Sequence, residues 1–423
     1  MMLCLPVYPQ VDTIHNSIPN PDTSNLQPDT ALHNIIAADS ALAVKTTNDS
    51  LNYGQKDIAD VLDADFFHLF FGKTDTVAKK KNKFYKAILP GIGYSLTTKF
   101  VATVAAVASF YTDNPNSVNL SEIKLAGNYT QRGQIIVPFQ TYIWTKKNNY
   151  NIPGEMAYYK YPQFTYGLGG KTSLQNFTKL QYNYLRIRYP ILRKVVTYFY
   201  LGGGYALDYR WEIKELIPPS GIDDLKLYGF KQRSSSSGVT ANMLYDNRRN
   251  FINPERGFYA NIVYRPNFVK MGSDENWQSL LVDVRKYFKL KKNSNNVLAL
   301  WSYNWLILTG NPPYLDLPAT SWDAYNNQGR GFIQDRFKDK KLIAFEAEYR
   351  FTLSRNGLFG AVVFANAQSV SGWASNNFND IWPAAGIGLR IKLNKHTNTN
   401  LAIDFAVGKG GSQGFFGNMG EIF

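Results

Sequence analysis

Residues 342–353 form a segment whose side chains alternate between two incompatible kinds. One row contains Ile343, Phe345, Ala347, Tyr349, Phe351 and Leu353. The other row contains Ala344, Glu346, Glu348, Arg350 and Thr352. A period of two predicts a β-strand. Because the second row carries full charges that need water or ionic partners, it fits the lumen-facing side of a membrane barrel.

The same alternation recurs twice toward the end of the chain. Apolar rows there comprise Ala385, Ile387, Leu389, Ile391, Leu393 and then Leu401, Ile403, Phe405, Val407. The intervening rows comprise Gly386, Gly388, Arg390, Lys392 and then Ala402, Asp404, Ala406. No stretch approaches the ~18 consecutive apolar residues that a spanning helix needs, so any membrane crossing must be made by strands.

Sixteen strand candidates separated by turn-forming residues follow Lys83. They lie at 84–94, 97–111, 118–131, 134–147, 150–164, 178–192, 195–211, 234–247, 257–269, 277–290, 296–309, 341–354, 357–371, 383–394, 399–408 and 413–423. An even number is typical of single-chain bacterial barrels. The sequence therefore predicts an all-β transmembrane fold, one antiparallel barrel over 84–423. Its two longest connections, 212–233 and 310–340, are expected on the extracellular side.

The first 83 residues differ in composition from the barrel segment. The polar stretch 11–52 predicts a mobile tail. Apolar residues spaced by three and four between Gln55 and Phe71 predict an amphipathic helix, docked on protein or lying on the membrane surface. The first ten residues resemble the end of a signal sequence without its basic start, so a mature start near Val11 is expected. A lipid anchor at Cys4 is not expected, because three preceding residues cannot form a complete signal.

Composition agrees with a membrane barrel and excludes several other classes of function. Aromatic residues make up 15% of the chain and 28 residues are Tyr, which suits interfacial aromatic girdles. The net charge of +14 would suit nucleic acid, but the basic residues are spread over strands and turns. Attraction to anionic lipid headgroups is the simpler explanation, also for the basic run Lys79, Lys80, Lys81 and Lys83.

Metal, cofactor and catalytic motifs are absent from the sequence. Cys4 is the single cysteine, and the histidines have no metal-ligand spacing; they are His15, His33, His68 and His396. A membrane lipase would need a nucleophile beside a base, but His396 is the one histidine after Phe84 and lies in a predicted turn. The sequence therefore predicts no enzyme, no cofactor and no metal site.

Four segments of the barrel region together carry a family resemblance. They are Gly329-Arg330-Gly331-Phe332, YDNRRNFINPERG at 245–257, EAEYRF at 346–351, and the ending 404–423 with its final Phe. They resemble four features of the BamA/TamA superfamily of outer-membrane barrels, also called the bacterial surface antigen family. In the same order, these features are the Arg-Gly-Phe/Tyr loop, the Asp-x-Arg…Pro-x-x-Gly strand-turn, the strand after the loop and the last hairpin. The resemblance covers about residues 84–423.

The resemblance implies that the long loop folds back into the lumen, where acidic side chains on the inner wall hold its arginine. Arg330 matches that arginine and Glu348 matches one wall partner, with Glu346 a further candidate. The family's second partner, an Asp in the next strand, is replaced here by Asn366. Because Asn offers a neutral acceptor, the lock is expected to be weaker or to lean on Glu346.

Residues 11–83 show no pattern for the POTRA modules that most of this family carries before the barrel. The chain thus resembles the branch without them, with an N-terminal tail in the periplasm and a barrel in the bacterial outer membrane. In this family the POTRA modules receive the client proteins, so the resemblance does not indicate how clients would reach a barrel without them.

The expected function depends on how the first and last strands close the barrel. Pro90 cannot donate a ladder hydrogen bond, and the glycines offer little side chain to pack; the seam residues are Pro90, Gly414, Gly417, Gly420 and Phe423. One hypothesis is a barrel that assists insertion or translocation of proteins or lipids at this weak seam. The alternative is a passive pore or structural protein. The expected partners are outer-membrane lipids. Client outer-membrane proteins, periplasmic accessory proteins and a second copy of this chain are further candidates, and nucleic acid is not expected.

Overall fold

The structure, a computed structural model, describes residues 55–58 and 84–423, the latter with gaps at 96, 115–116, 249, 251, 291–294, 325, 374 and 396–397. One antiparallel sheet of sixteen strands in chain order fills the second range. The first eight strands are β1 Phe84–Ser95, β2 Lys99–Phe110, β3 Ser121–Thr130, β4 Ile135–Trp144, β5 Tyr150–Thr165, β6 Thr178–Val196, β7 Phe199–Ile217 and β8 Ser234–Asp246. The others are β9 Gly257–Asn267, β10 Trp277–Lys289, β11 Val297–Thr309, β12 Lys341–Thr352, β13 Phe359–Val370, β14 Trp382–Asn394, β15 Thr399–Gly408 and β16 Ser412–Met419.

The predicted all-β fold is confirmed, and two of its connections need correction. β6 and β7 are longer than predicted, because Val196 pairs with Phe199 across a two-residue turn and the ladder continues through the expected break. β7 also runs on to Ile217, so the connection placed at 212–233 begins at 218. That connection contains a single short helix, α1 Asp224–Tyr228, which Asp223 caps by accepting a hydrogen bond from the Lys226 N–H.

Alternation along the strands separates an outer apolar face from a buried, charged inner face. On β12, Ile343 and Phe345 are 37% and 50% exposed, whereas Glu348 is fully buried. Side chains that point outward in this way form the apolar belt of a transmembrane barrel, and their neighbours in the strand fill its lumen. No helix among the described residues is long and apolar enough to cross a membrane.

The two ends of the barrel differ in the length of their connections. One end, here called the long-loop end, has the connections 166–177, 218–233, 310–340 and 371–381. The opposite, short-turn end has connections such as 197–198, 353–358 and 395–398. Short turns on one side and longer loops on the other are usual for outer-membrane barrels.

Residues 55–58 lie against the short-turn end. The Lys56 N–H donates to the Asn356 carbonyl oxygen at 2.8 Å, and the buried Asp57 accepts from the Lys395 N–H at 3.0 Å. Residues 55–57 are not helical, so the predicted helix does not begin at Gln55. The remainder of that prediction, 59–71, lies outside the described residues. The same holds for the tail, the four histidines, Cys4 and the basic run before β1.

A lysine on the outer face tests the orientation of the strands. Ile387, which is 64% exposed in the middle of β14, is the test site, and Leu353, just past β12, is the control at the rim. Ile387→Lys should destabilise the folded barrel by about 2–4 kcal/mol, whereas Leu353→Lys should cost about 0–1 kcal/mol. The free energy of unfolding in lipid vesicles measures both. Equal costs would contradict this orientation.

Candidate functional site in the barrel lumen

The connection 310–340 folds into the lumen and is anchored at its start by Asp316. The Arg210 Nη1 on β7 donates to Asp316 Oδ1 at 2.5 Å, and the Ser236 hydroxyl on β8 donates to Oδ2 at 2.6 Å. All three residues are buried. This ionic bond, formed away from water, fixes one end of the loop to the β7–β8 wall. No sequence motif reveals this bond, because its members lie on separate elements.

The later part of the loop is tied to the β5–β6 connection. The Gly169 N–H donates to the Lys338 carbonyl oxygen at 2.8 Å, and Arg336 Nη1 donates to the Thr172 hydroxyl at 2.5 Å. The Lys338 ammonium forms an ion pair with Asp335 at 2.8 Å. Burial lowers the pKa of Lys338, and the Asp335 carboxylate partly offsets that effect.

Arg330 is the loop residue that forms ion pairs with acidic side chains of the inner wall. Its guanidinium donates to Glu346, to Glu348 Oε2 at 2.5 Å and to Asp404 Oδ2 at 2.5 Å. The Phe364 ring covers it, with the Arg330 Cζ 3.5 Å from the ring centroid. Burial alone would lower the pKa of Arg330, but the three carboxylates raise it above its usual value, so the group stays charged. β12 and β15 are thereby joined through the loop.

Two further arginines surround this cluster. Arg350 donates to Glu348 Oε1 at 2.7 Å, and Arg390 donates to Asp404 Oδ1 at 2.5 Å and to Glu421 Oε2 at 2.7 Å. The cluster therefore contains three guanidinium groups and four carboxylates. They belong to Arg330, Arg350, Arg390, Glu346, Glu348, Asp404 and Glu421. Each acid faces an arginine, so the arrangement suits a rigid lock. Among the described residues, no acid, His or Cys group is placed to hold a metal ion.

Asn366 lies beside this lock with a different partner from the one expected. Its amide Nδ2 donates to the main-chain carbonyl oxygen of Arg330 at 2.8 Å, while the guanidinium takes its third acid from Asp404 on β15. Although Asn366 is neutral, the Arg330 guanidinium still contacts three carboxylates. Asp404 was in the inward row of its strand, which was the available sequence signal, but only the curvature of the sheet brings it opposite Arg330.

The two glycines around Arg330 permit the loop to approach the wall. Gly329 and Gly331 have φ of +77° and +102°, the left-handed region that side chains disfavour. A Cβ on Gly331 would also lie 2.8 Å from the Ala384 Cβ. Phe332 is fully buried and its ring fills the space left by Gly408, where a Cβ would lie 2.7 Å from the ring.

The first and last strands form the edges of the sheet. Across the described residues, strand pairing joins each strand to the next in chain order but gives no ladder between β1 and β16. Pro90 lies exposed on β1 opposite Val104 of β2. Gly414 and Gly417 lie on β16, and a Cβ on Gly417 would be 3.6 Å from the Tyr94 carbonyl oxygen.

Gly420 and Phe423 do not lie on this edge, which corrects their assignment to the seam. Gly420 has a φ of +87° and turns the chain inward past Met419, where β16 ends. Phe423 is buried in the lumen, its ring centroid 5.1 Å from that of Trp301, and its main-chain oxygen accepts from Arg350 at 2.9 Å. The final residues thus support the charged lock.

The family comparison matches the part of the chain that contains this lock. A model described as the Omp85 superfamily domain matches residues 226–423, which include β8–β16 and the Arg330 loop. The predicted BamA/TamA-type resemblance is confirmed. None of the curated protein sequences matches the chain.

Three solved structures share the fold of this chain. BamA from Haemophilus ducreyi lacking POTRA domains 1–3 aligns with a TM-score of 0.56 at 14% identity, over 81% of this chain and 71% of that one. CdiB from Acinetobacter baumannii aligns at 0.51 and 11% identity, over 79% of this chain and 59% of its own. CdiB from Escherichia coli aligns at 0.54 and 8%, over 81% and 63%. The chain spans less than two thirds of either CdiB, and the likeness concerns the fold.

Arg330→Met tests the lock while keeping a side chain of similar length. It should weaken docking of the loop by about 3–5 kcal/mol, because Glu346 would remain buried without a cation and Glu348 and Asp404 would each lose one of their cations. Hydrogen exchange of amides in 326–336 measures the effect as lost protection. Lys340→Met is the matched control, since Lys340 also lies in the loop but makes an exposed bond to Asn311. Unchanged protection in Arg330→Met would refute the lock.

Double-mutant cycles separate the two anchors of the loop. Arg330→Met combined with Asp404→Asn should show a coupling energy of about 0.5–3 kcal/mol, because the two side chains are in direct contact. Arg330→Met combined with Asp316→Asn should be additive, because Asp316 bonds to Arg210 and Ser236 and shares no partner with Arg330. The free energy of unfolding in vesicles measures both cycles. Additivity in the first would place Asp404 outside the lock.

Proposed function

We propose that this barrel is an integral protein of the bacterial outer membrane that assists insertion or translocation of proteins or lipids at the seam between β1 and β16. The observation that carries the proposal is the pairing pattern: over the described range, every neighbouring pair of strands forms a ladder except the first and last.

The chemistry of a free strand edge supports this function. Alternate N–H and C=O groups of an edge strand point away from its one neighbour, and such edges are templates for another strand. In a bilayer the cost of leaving them unpaired is high, because no water is available in the apolar core. An incoming strand would satisfy these groups, so the seam favours strand addition.

The filled lumen supports passage at the seam over passage along the barrel axis. The loop 310–340 is held by Arg210 on one wall and by acids of β12 and β15 on another. A wide aqueous channel would require both anchors to break. This favours an assembly role over the alternative of a passive pore.

The remaining parts of the proposal concern organisation and partners. Residues 84–423 would form the barrel, and 1–83 an N-terminal segment without POTRA modules on the periplasmic side. The contacts of Lys56 and Asp57 with the short-turn end support that placement. Clients would be outer-membrane proteins or lipids, with periplasmic accessory proteins or a second copy as further partners.

Locking the seam tests the proposed function. In a Cys4→Ser background, cysteines at Tyr94 and Gly417 joined by a short bifunctional thiol reagent would bridge β1 and β16. The locked barrel should lose most of its ability to promote folding of a client barrel into vesicles, because the free edges can no longer separate. Protease protection of the client measures its insertion, and vesicle conductance is recorded in parallel.

The control is a lock within a continuous ladder. Ala361 and Leu389 are directly opposite on β13 and β14, so cysteines there would join strands that are already paired. That variant should retain activity after crosslinking. Full activity of the seam-locked barrel, or conductance without any client folding in the unlocked one, would instead support the passive pore.

A further inference from the structure

An outward-facing recess lies on the barrel wall where β5, β6 and β7 rise toward the long-loop end. It has a volume of about 400 Å³ and a mainly polar lining. The lining includes Tyr158, Lys160, Gln181, Asn183, Glu212 and Lys214.

The recess begins where the apolar belt of these strands ends. Outward residues below it are apolar or aromatic: Ile152, Met156, Leu185, Ile187, Leu207 and Tyr209. Tyr158 and Trp211 form the border, with ring centroids 6.1 Å apart, and Tyr209 stacks on Trp211 at 5.4 Å. Such aromatic residues mark the membrane interface in outer-membrane barrels. The recess would therefore lie at the height of lipid headgroups.

A β-bulge shapes the recess. The register of β6 and β7 shifts between Gln181 and Asn183, and Glu212 has a φ of +52° within β7. A bulge re-aims side chains and bends the strand that carries it. The displaced Glu212 carboxylate accepts a hydrogen bond from Asn183 at 3.0 Å, and Asn183 in turn accepts from the Tyr158 hydroxyl at 2.9 Å. The acid is thereby held at one side of the recess.

Two lysines face the remaining space without a protein counter-ion. Lys160 on β5 and Lys214 on β7 are exposed, and neither forms an ion pair with any residue in the described part of the chain. Gln181, which pairs with Lys214, adds a neutral amide donor. The recess thus contains two ammonium groups and an amide donor, whereas its one carboxylate, that of Glu212, is hydrogen-bonded to Asn183. This excess of positive charge favours binding of an anion.

We propose that this recess binds the phosphate group of a lipid headgroup in the leaflet at the long-loop end. Lysine ammonium groups bind phosphate as point charges, and basic residues beside a bilayer attract anionic headgroups. The acyl chains would lie along the apolar belt below, beside Met156 and Ile187. The inference rests on the membrane placement proposed above but not on any assembly activity.

Lipid retention tests the site. The full chain is placed in phosphatidylcholine nanodiscs with a minor fraction of phosphatidic acid, and native mass spectrometry counts the lipids that remain bound. Wild-type protein should retain phosphatidic acid in preference to phosphatidylcholine. Lys160→Gln/Lys214→Gln should weaken that retention on the order of tenfold. Lys160→Arg/Lys214→Arg should keep it, because both charges remain.

The control removes the same charge elsewhere at the same end of the barrel. Lys171 and Lys270 are exposed in the β5–β6 and β9–β10 connections, and Lys171→Gln/Lys270→Gln should leave retention unchanged. Equal loss in both double variants, or none in Lys160→Gln/Lys214→Gln, would overturn the site. Displacement of phosphatidic acid by inorganic phosphate would show that the site binds a free anion, and would overturn the proposal that its ligand is a lipid headgroup. Failure of the wild-type chain to enter nanodiscs would overturn the membrane placement, whereas loss of client folding alone would leave this site intact.

Discussion

The buried contact of Arg330 with Glu346, Glu348 and Asp404 is the interaction on which the lumen depends. Folding buries one guanidinium and three carboxylates away from water. This burial is tolerated only when each charged group keeps a partner of opposite charge. Because Glu348 and Asp404 also bind Arg350 and Arg390, the loop, β12, β14, β15 and the final residues share one network. Asp316 and Arg210 provide a second anchor on the far wall. The loop is thereby held across the barrel.

This rigid interior contrasts with the edge of the sheet. Fifteen neighbouring strand pairs form ladders in the described range, but β1 and β16 remain the two ends of the sheet. The last turn of chain after Met419 goes inward to the charged network instead of extending β16 along β1. A locked lumen therefore coexists with free strand edges, and the proposed function at the seam rests on this combination.

Most of the fold was predictable from sequence because the period of two is enforced on every strand by the contrast between lipid and lumen. Sixteen strands were predicted and the structure has sixteen, with the largest errors at β6 and β7, where the ladder passes through Lys194 and Val196. The lock was less accessible. Arg330 and Glu348 follow the family pattern, but Asp404 and Asp316 find their partners through the curvature of the sheet, which local sequence does not encode. The role of Phe423 was misplaced because a positive φ at Gly420 redirects the chain.

Residue-resolved hydrogen exchange of the barrel in lipid vesicles distinguishes a locked interior with free strand edges from a closed barrel. We expect rapid exchange at alternate amides of β1 and β16, those pointing away from β2 and β15. The other amides of these two strands and those of β13 and β14 should stay protected. Uniform protection along β1 and β16, equal to that of β13 and β14, would show a closed, fully bonded barrel without free strand edges.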